Sequence, residues 1–171
     1  MRPIAISWAV VAFIAAVSSA VAASYENSHG QISDQLTVDH AQIVLSPEGR
    51  TAVGYLAVWN GTRHGANLVS VQSEAFGSIL FHRTEVVDGI GYMRPIKGAL
   101  LLPGHSELLM KPGGVHMMLS DPKSTLTAGD NVTLVLTFDD GARVETAAKL
   151  LATGERTVDH HHAEGDMVES E

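Results

Sequence analysis

The feature that most constrains the fold is a series of short β-strand patterns separated by turn residues. Residues 51–59, 67–73 and 131–138 are rich in β-branched and aromatic residues or alternate apolar with polar side chains. Turn pairs such as Asn60-Gly61 and Asp88-Gly89 separate the segments. We count about nine such segments, and none has a helical period. The sequence therefore predicts an all-β fold, an antiparallel β-sandwich or barrel with Greek-key connections.

Both ends of the chain depart from this β-pattern. Residues 1–3 are basic, residues 4–17 are almost wholly apolar, and Ala20-Val21-Ala22 has the small residues of a signal peptidase site. We interpret residues 1–22 as a secretory signal peptide. The alternative is an uncleaved membrane anchor, although the apolar run is short against the roughly 20 residues of a spanning helix. The remaining chain divides into a flexible leader (23–34), a β-domain (35–151) and a disordered, acidic tail (152–171).

Charge and cysteine content exclude several classes of protein. The chain has 19 acidic and 11 basic residues and no cysteine. The negative charge argues against nucleic acid and anionic membranes as partners. Without cysteine, no disulfide holds the fold and no thiolate binds a metal. The sequence thus predicts a soluble monomer without stable membrane insertion once the signal is removed.

Histidine and methionine recur together in the middle of the chain. Ten residues separate His82 from Met93, and His116-Met117-Met118 follows the bend at residues 111–114. Strand alternation puts His116 and Met118 on one face and Met117 on the other, in the core. Imidazole and thioether ligands together favour copper, above all Cu(I).

Each of these side chains also has an ordinary structural explanation. A half-buried histidine and a methionine that fills the core are both common. A blue-copper electron carrier needs a cysteine ligand, and a hydrolase needs a nucleophile paired with a base, so neither kind of protein is favoured. The remaining alternative is a secreted β-sandwich with a structural or interaction role and incidental histidines.

The chain from Tyr55 to about Lys149 resembles the periplasmic copper chaperones of the PCu(A)C family. The resemblance rests on the His82-x10-Met93 spacing, on Met93-Arg94-Pro95, and on His116-Met117-Met118. The motifs at residues 102–104, 111–114 and 134–141 follow in the family's order. It implies a cupredoxin-like sandwich that binds Cu(I) through His82, Met93, His116 and Met118. It also implies that the protein is not an enzyme. Its implied partner is a copper-receiving respiratory oxidase subunit, such as one that carries CuA, or another copper chaperone.

The tail contains a second group of metal ligands. His160, His161 and His162 are consecutive, and Asp166-Met167 follows them. Clustered imidazoles bind Cu(II), and also zinc or nickel. We therefore predict a weaker Cu(II) site in the tail, with a solvated polar extension as the alternative.

Overall fold

Nine β-strands and no helix make up the described part of the chain. The computed structural model describes residues 34–155 and residue 157. The strands are β1 (Leu36–Leu45), β2 (Thr51–Asn60), β3 (Leu68–Gln72), β4 (Phe76–Val87), β5 (Ile90–Pro95), β6 (Ser106–Met110), β7 (Val115–Pro122), β8 (Asn131–Phe138) and β9 (Arg143–Leu151). The predicted all-β fold is therefore confirmed. The predicted signal peptide (1–22), nearly all of the leader (23–34) and the histidines of the tail lie outside the described residues.

The strands form one sheet in the order β3-β8-β9-β1-β2-β7-β4-β5, with β6 also paired to β2. All neighbouring pairs are antiparallel except β1 and β9, which are parallel. The sheet is therefore mostly antiparallel, as predicted, with one parallel pair. The difference has a topological reason: β9 is the return strand of a hairpin with β8, and its free side then meets β1 running in the same direction.

The sheet curls so that one face encloses a single apolar core. Buried core side chains come from every strand except β5. The largest of them include Ile43, Leu56, Met117, Leu136 and Phe138. Full burial of such a side chain contributes about 1.5–3 kcal/mol. The sandwich is thus stabilised without β5, whose six residues are all exposed.

The loop after β2 is held by one buried asparagine. The side-chain amide of Asn60, which is fully buried, donates to the carbonyl oxygens of His64 (2.8 Å) and Pro103 (3.1 Å). Its Oδ1 accepts from the backbone N–H of Thr62 at 3.0 Å. A buried polar group needs such partners, since leaving one unpaired costs about 1–3 kcal/mol. Asn60 therefore joins the loop after β2 to the segment before β6.

Gly104 permits the close approach of these two segments. A Cβ atom at this position would lie 2.5 Å from the carbonyl oxygen of Arg63 and 2.8 Å from that of Thr62. Because both neighbours are backbone atoms, neither can rotate away. The Leu102-Pro103-Gly104 motif is therefore a requirement of packing.

We predict that Gly104→Ala destabilises the domain by about 1–3 kcal/mol, the usual cost of overpacking. Thermal or urea unfolding of the purified variants measures the change. Gly65→Ala is the matched control, because its Cβ would meet only the carbonyl oxygen of Leu102 at 3.8 Å. Equal stability of Gly104→Ala and wild type would contradict this account of the motif.

Candidate metal centre

His82 and His116 face each other on the neighbouring strands β4 and β7. They are direct partners in the antiparallel register. Their rings are stacked, with centroids 6.0 Å apart and planes 20° apart. The register also pairs Leu80 with Met118. Since side chains alternate along a strand, all four lie on the outer face of the sheet.

The opposite face of the same two strands fixes this register. Phe81 is paired with Met117, and both side chains are buried in the core. On the other side, Met117 is paired with Gly54 of β2, where an added Cβ would lie 2.8 Å from the methionine Cε. The prediction that Met117 packs in the core while Met118 points the opposite way is confirmed.

A tight turn orients the ring of His116. In the turn at residues 111–114, Gly114 N–H donates to the carbonyl oxygen of Lys111 at 3.0 Å. Pro112 occupies the second position and Gly113, with φ of 76°, the third, as a type II turn requires. The carbonyl oxygen of Gly114 then lies 3.0 Å from Nδ1 of His116. Because a carbonyl only accepts, Nδ1 carries the proton, and Nε2 of the neutral ring keeps its lone pair.

His82 has an unpartnered nitrogen. Its Nδ1 is buried and makes no hydrogen bond within the described part of the chain. Buried polar atoms without a partner are rare in folded proteins, and each needs an explanation. An atom bound at this position would supply one, so the nitrogen fits the role of a metal ligand.

The two methionines lie on either side of the histidine pair. Met93 on β5 is paired with Thr84, and Met118 with Leu80, so each is a diagonal neighbour of His82 on the same outer face. Diagonal neighbours lie about 7–8 Å apart, within reach of long side chains. The residue directly opposite His82 on β5 is Pro95. Met93 is 60% exposed, whereas Met118 is half-buried.

The described residues form no acidic cluster around these four side chains. Across residues 34–155, no three His, Cys, Asp or Glu side chains cluster as ligands for a metal ion. A metal at this face would therefore need the thioethers as well as the imidazoles. Tyr55 lies on the same outer face, because Val53, two residues before it, is paired with Met118. Burial raises the pKa of its hydroxyl, so Tyr55 adds no negative charge at neutral pH.

Sequence reasoning identified the four side chains but missed the carbonyl oxygen of Gly114. The Lys111-Pro112-Gly113-Gly114 motif predicted the bend, but not which atom the bend presents to His116. That carbonyl oxygen also accepts from the backbone N–H of Thr84 at 3.1 Å. It therefore links the turn to both β4 and the imidazole.

We predict that neutral His116 is the Nδ1–H tautomer. A long-range ¹H–¹⁵N spectrum at alkaline pH should give one protonated and one unprotonated nitrogen for this ring, with the proton on Nδ1. Gly113→Val should weaken this preference, because a β-branched residue is strained at positive φ. An Nε2–H tautomer in the wild-type protein would contradict the assigned hydrogen bond.

Comparisons with known proteins place the chain in a family. The LpqE-like family, described as "Putative lipoprotein LpqE-like", matches residues 36–150. A lipoprotein-type relative from Leifsonia xyli subsp. xyli is 32% identical over 113 residues, which are 66% of this chain and 68% of the relative.

Solved structures of similar fold include PCuAC domains. The copper-bound PCuAC domain of PmoF2 is 26% identical, with a TM-score of 0.57, over 69% of this chain and 93% of that domain. The apo form of the same domain is 25% identical, with a TM-score of 0.60, over 72% of this chain and 95% of that domain. Family match and fold agree with the motifs, and the chain belongs to the LpqE-like family of PCuAC-type proteins.

Proposed function

We propose that this protein is a periplasmic copper chaperone that binds Cu(I) through His82, Met93, His116 and Met118. The observation that carries the proposal is the stacked pair of histidines on the outer face. In it, His116 commits Nδ1 to a carbonyl and leaves Nε2 free, and His82 has a buried nitrogen without a partner. PCuAC-type proteins are copper chaperones and not enzymes, which agrees with metal carriage here.

The donor set suits an ion that must be passed on. Imidazole nitrogen and thioether sulfur are neutral donors, and soft sulfur ligands select Cu(I). Thioethers have no proton to lose, whereas the imidazoles must be unprotonated to bind the metal. Neutral donors also hold Cu(I) less firmly than thiolates, which favours release to a recipient. The exposed position of Met93 leaves one side of the site open to that recipient.

The proposed recipient is a copper site of a respiratory oxidase, such as CuA, or a second copper chaperone. Support comes from the family resemblance and from the envelope location that the lipoprotein-type relatives suggest. The predicted signal peptide is consistent with export to the periplasm. In the part of the chain that the structure describes, no helix is long and apolar enough to cross a membrane.

We predict that Met93→Leu and Met118→Leu each reduce Cu(I) affinity by at least about tenfold. Loss of an outer-shell partner alone typically costs 10–100-fold, and these changes remove a proposed ligand. Folding stability should change by less than about 1.5 kcal/mol, because leucine and methionine have similar volumes. Competition with bicinchoninate under anaerobic reducing conditions measures the affinity.

Met117→Leu is the matched control, since the neighbouring methionine lies in the core. It should bind Cu(I) as wild type does. Wild-type affinity in both Met93→Leu and Met118→Leu would refute the ligand assignment. Equal losses in all three variants would point to a general effect on the fold.

We further propose that His160, His161 and His162 form a separate Cu(II) site in the tail. The described chain ends close to the main site: Gly154, Glu155 and Thr157 line a cavity together with Tyr55 and Lys111. From Thr157, His160 is three residues away, and three extended residues span at most about 11 Å. The proposal rests on the three consecutive imidazoles, which the β-pattern of the domain does not require.

We predict that replacing all three tail histidines with alanine removes about one equivalent of bound Cu(II). Imidazole is the donor that Cu(II) uses in such a cluster. Equilibrium dialysis of the wild-type and substituted chains against Cu(II) measures the stoichiometry. Cu(I) affinity and thermal stability should stay unchanged. An unchanged Cu(II) stoichiometry would show that the tail is a solvated extension.

A further inference from the structure

Among the strands that the structure describes, β5 ends the sheet, and one of its edges has no neighbouring strand. The backbone N–H of Ile96 donates to the carbonyl oxygen of Phe81, so these two residues form a hydrogen-bonded pair of the β4–β5 ladder. Such pairs alternate along an antiparallel ladder. Tyr92 and Arg94 thus bond inward to β4, whereas Gly91 and Met93 direct N–H and C=O outward. Pro95 has no N–H and presents only a carbonyl, so the part of this edge that can hydrogen-bond to an added strand is short.

The hairpin that carries this edge exposes apolar side chains on both faces. Val86 is 70% exposed on the face of the histidine pair. Val87, Ile90 and Tyr92 are 48%, 56% and 44% exposed on the other face. The described core takes nothing from β5, so burial inside this domain does not explain them. Contiguous exposed apolar surface of this kind marks an interaction site.

The hairpin also carries positive charge on an acidic protein. Arg83 and Arg94 are direct cross-strand partners, an unfavourable arrangement for like charges. Glu85 lies 3.4 Å from Arg94, whereas Arg83 has no ion-pair partner among the described residues. Lys97 follows, also exposed. Since the chain as a whole has a formal charge of −8, this edge is suited to a partner that brings carboxylates.

We propose that the free edge of β5 is the docking site for an extended segment of the protein that exchanges copper with this domain. The segment adds as a further strand, with backbone bonds to Gly91 and Met93, and carries apolar residues and a carboxylate opposite Arg94. Strand addition of this kind takes affinity from backbone bonds and specificity from alternate side chains. This inference rests on the proposed copper function, because it places the partner strand beside the thioether of Met93.

A second copy of the chain is a poorer occupant of the edge. It would bring its own Arg83, Arg94 and Lys97 to the edge and so add positive charge where this edge already carries it. It would also lose the donor at Pro95 on both strands. The surface therefore fits an acidic, apolar strand from a different protein.

The test uses a six-residue peptide, acetylated and amidated, as the probe. Its sequence is threonine, glutamate, methionine, valine, threonine and isoleucine, so that antiparallel docking puts glutamate opposite Arg94 and methionine opposite Met93. In ¹H–¹⁵N spectra of the full chain, the amides of Gly91 and Met93 should shift on titration and exchange more slowly. A peptide with lysine in place of glutamate should bind at least about fivefold more weakly.

Two variants separate docking from folding and from copper binding. Gly91→Pro removes one outward N–H and should abolish docking, whereas Gly91→Ala keeps the donor and its Cβ meets only Thr84 at 3.8 Å. Arg94→Glu should reverse the preference, binding the lysine peptide better than the glutamate peptide. This charge exchange keeps the test decisive if Gly91→Pro fails to fold.

Cu(I) competition on the same variants distinguishes the two proposals. Gly91→Ala and Arg94→Glu should retain wild-type Cu(I) affinity. Shifts that map away from β5, or no reversal in Arg94→Glu, would overturn the docking site even if copper binds. Absent Cu(I) binding with intact peptide docking would overturn the copper function alone. Self-association in sedimentation that Gly91→Pro abolishes would assign the edge to a second copy instead.

Discussion

The register between β4 and β7 is the constraint on which the site depends. Burial of Phe81 against Met117 on the inner face sets it, and the outer face follows by alternation. A slip of one residue would turn Met117 outward and bury Met118 in its place. Gly54 has no room for a Cβ beside Met117, so the neighbouring strand holds the same register. The core thus positions the proposed metal ligands without containing them.

A second constraint fixes the orientation and the tautomer of the His116 ring. The type II turn aims the carbonyl of Gly114 at Nδ1 and so selects which nitrogen has a lone pair to offer. Within the described residues, His82 has no such fixed partner for its Nδ1. The two histidines therefore differ: the ring of His116 is already oriented, whereas His82 would gain a partner from the proposed metal. Because His116 is already oriented, metal binding would not have to order this ring. The conformational entropy lost on binding would come only from the other proposed ligands.

Local sequence patterns predicted much of this fold. They did not predict how strands that are distant in the sequence pair with one another. Alternation separated Met117 from Met118, and Asp88-Gly89 forms the expected hairpin turn, with φ of 52° and 78°. The direct pairing of His82 with His116 could not be predicted, because register across a long connection depends on core packing. The same reason explains the parallel β1–β9 pair. The place of Met93 opposite Thr84 is instead set locally, because the two-residue Asp88-Gly89 turn pairs Val87 with Ile90 and so fixes the hairpin register. The family motifs predicted which side chains are ligands without showing how the sheet arranges them.

The division between core and outer face also separates stability from function. β5 adds no side chain to the core, so an exposed methionine and a free edge can persist there at little cost to folding. Exposed edges favour aggregation, and Pro95 together with charged side chains limits that hazard. A strand kept exposed for contact with a partner would show these features: a short bonding stretch, apolar side chains on both faces, and charge that discourages a second copy. Met93, a proposed ligand, lies in the middle of that stretch, where an incoming strand would lie beside the proposed copper site.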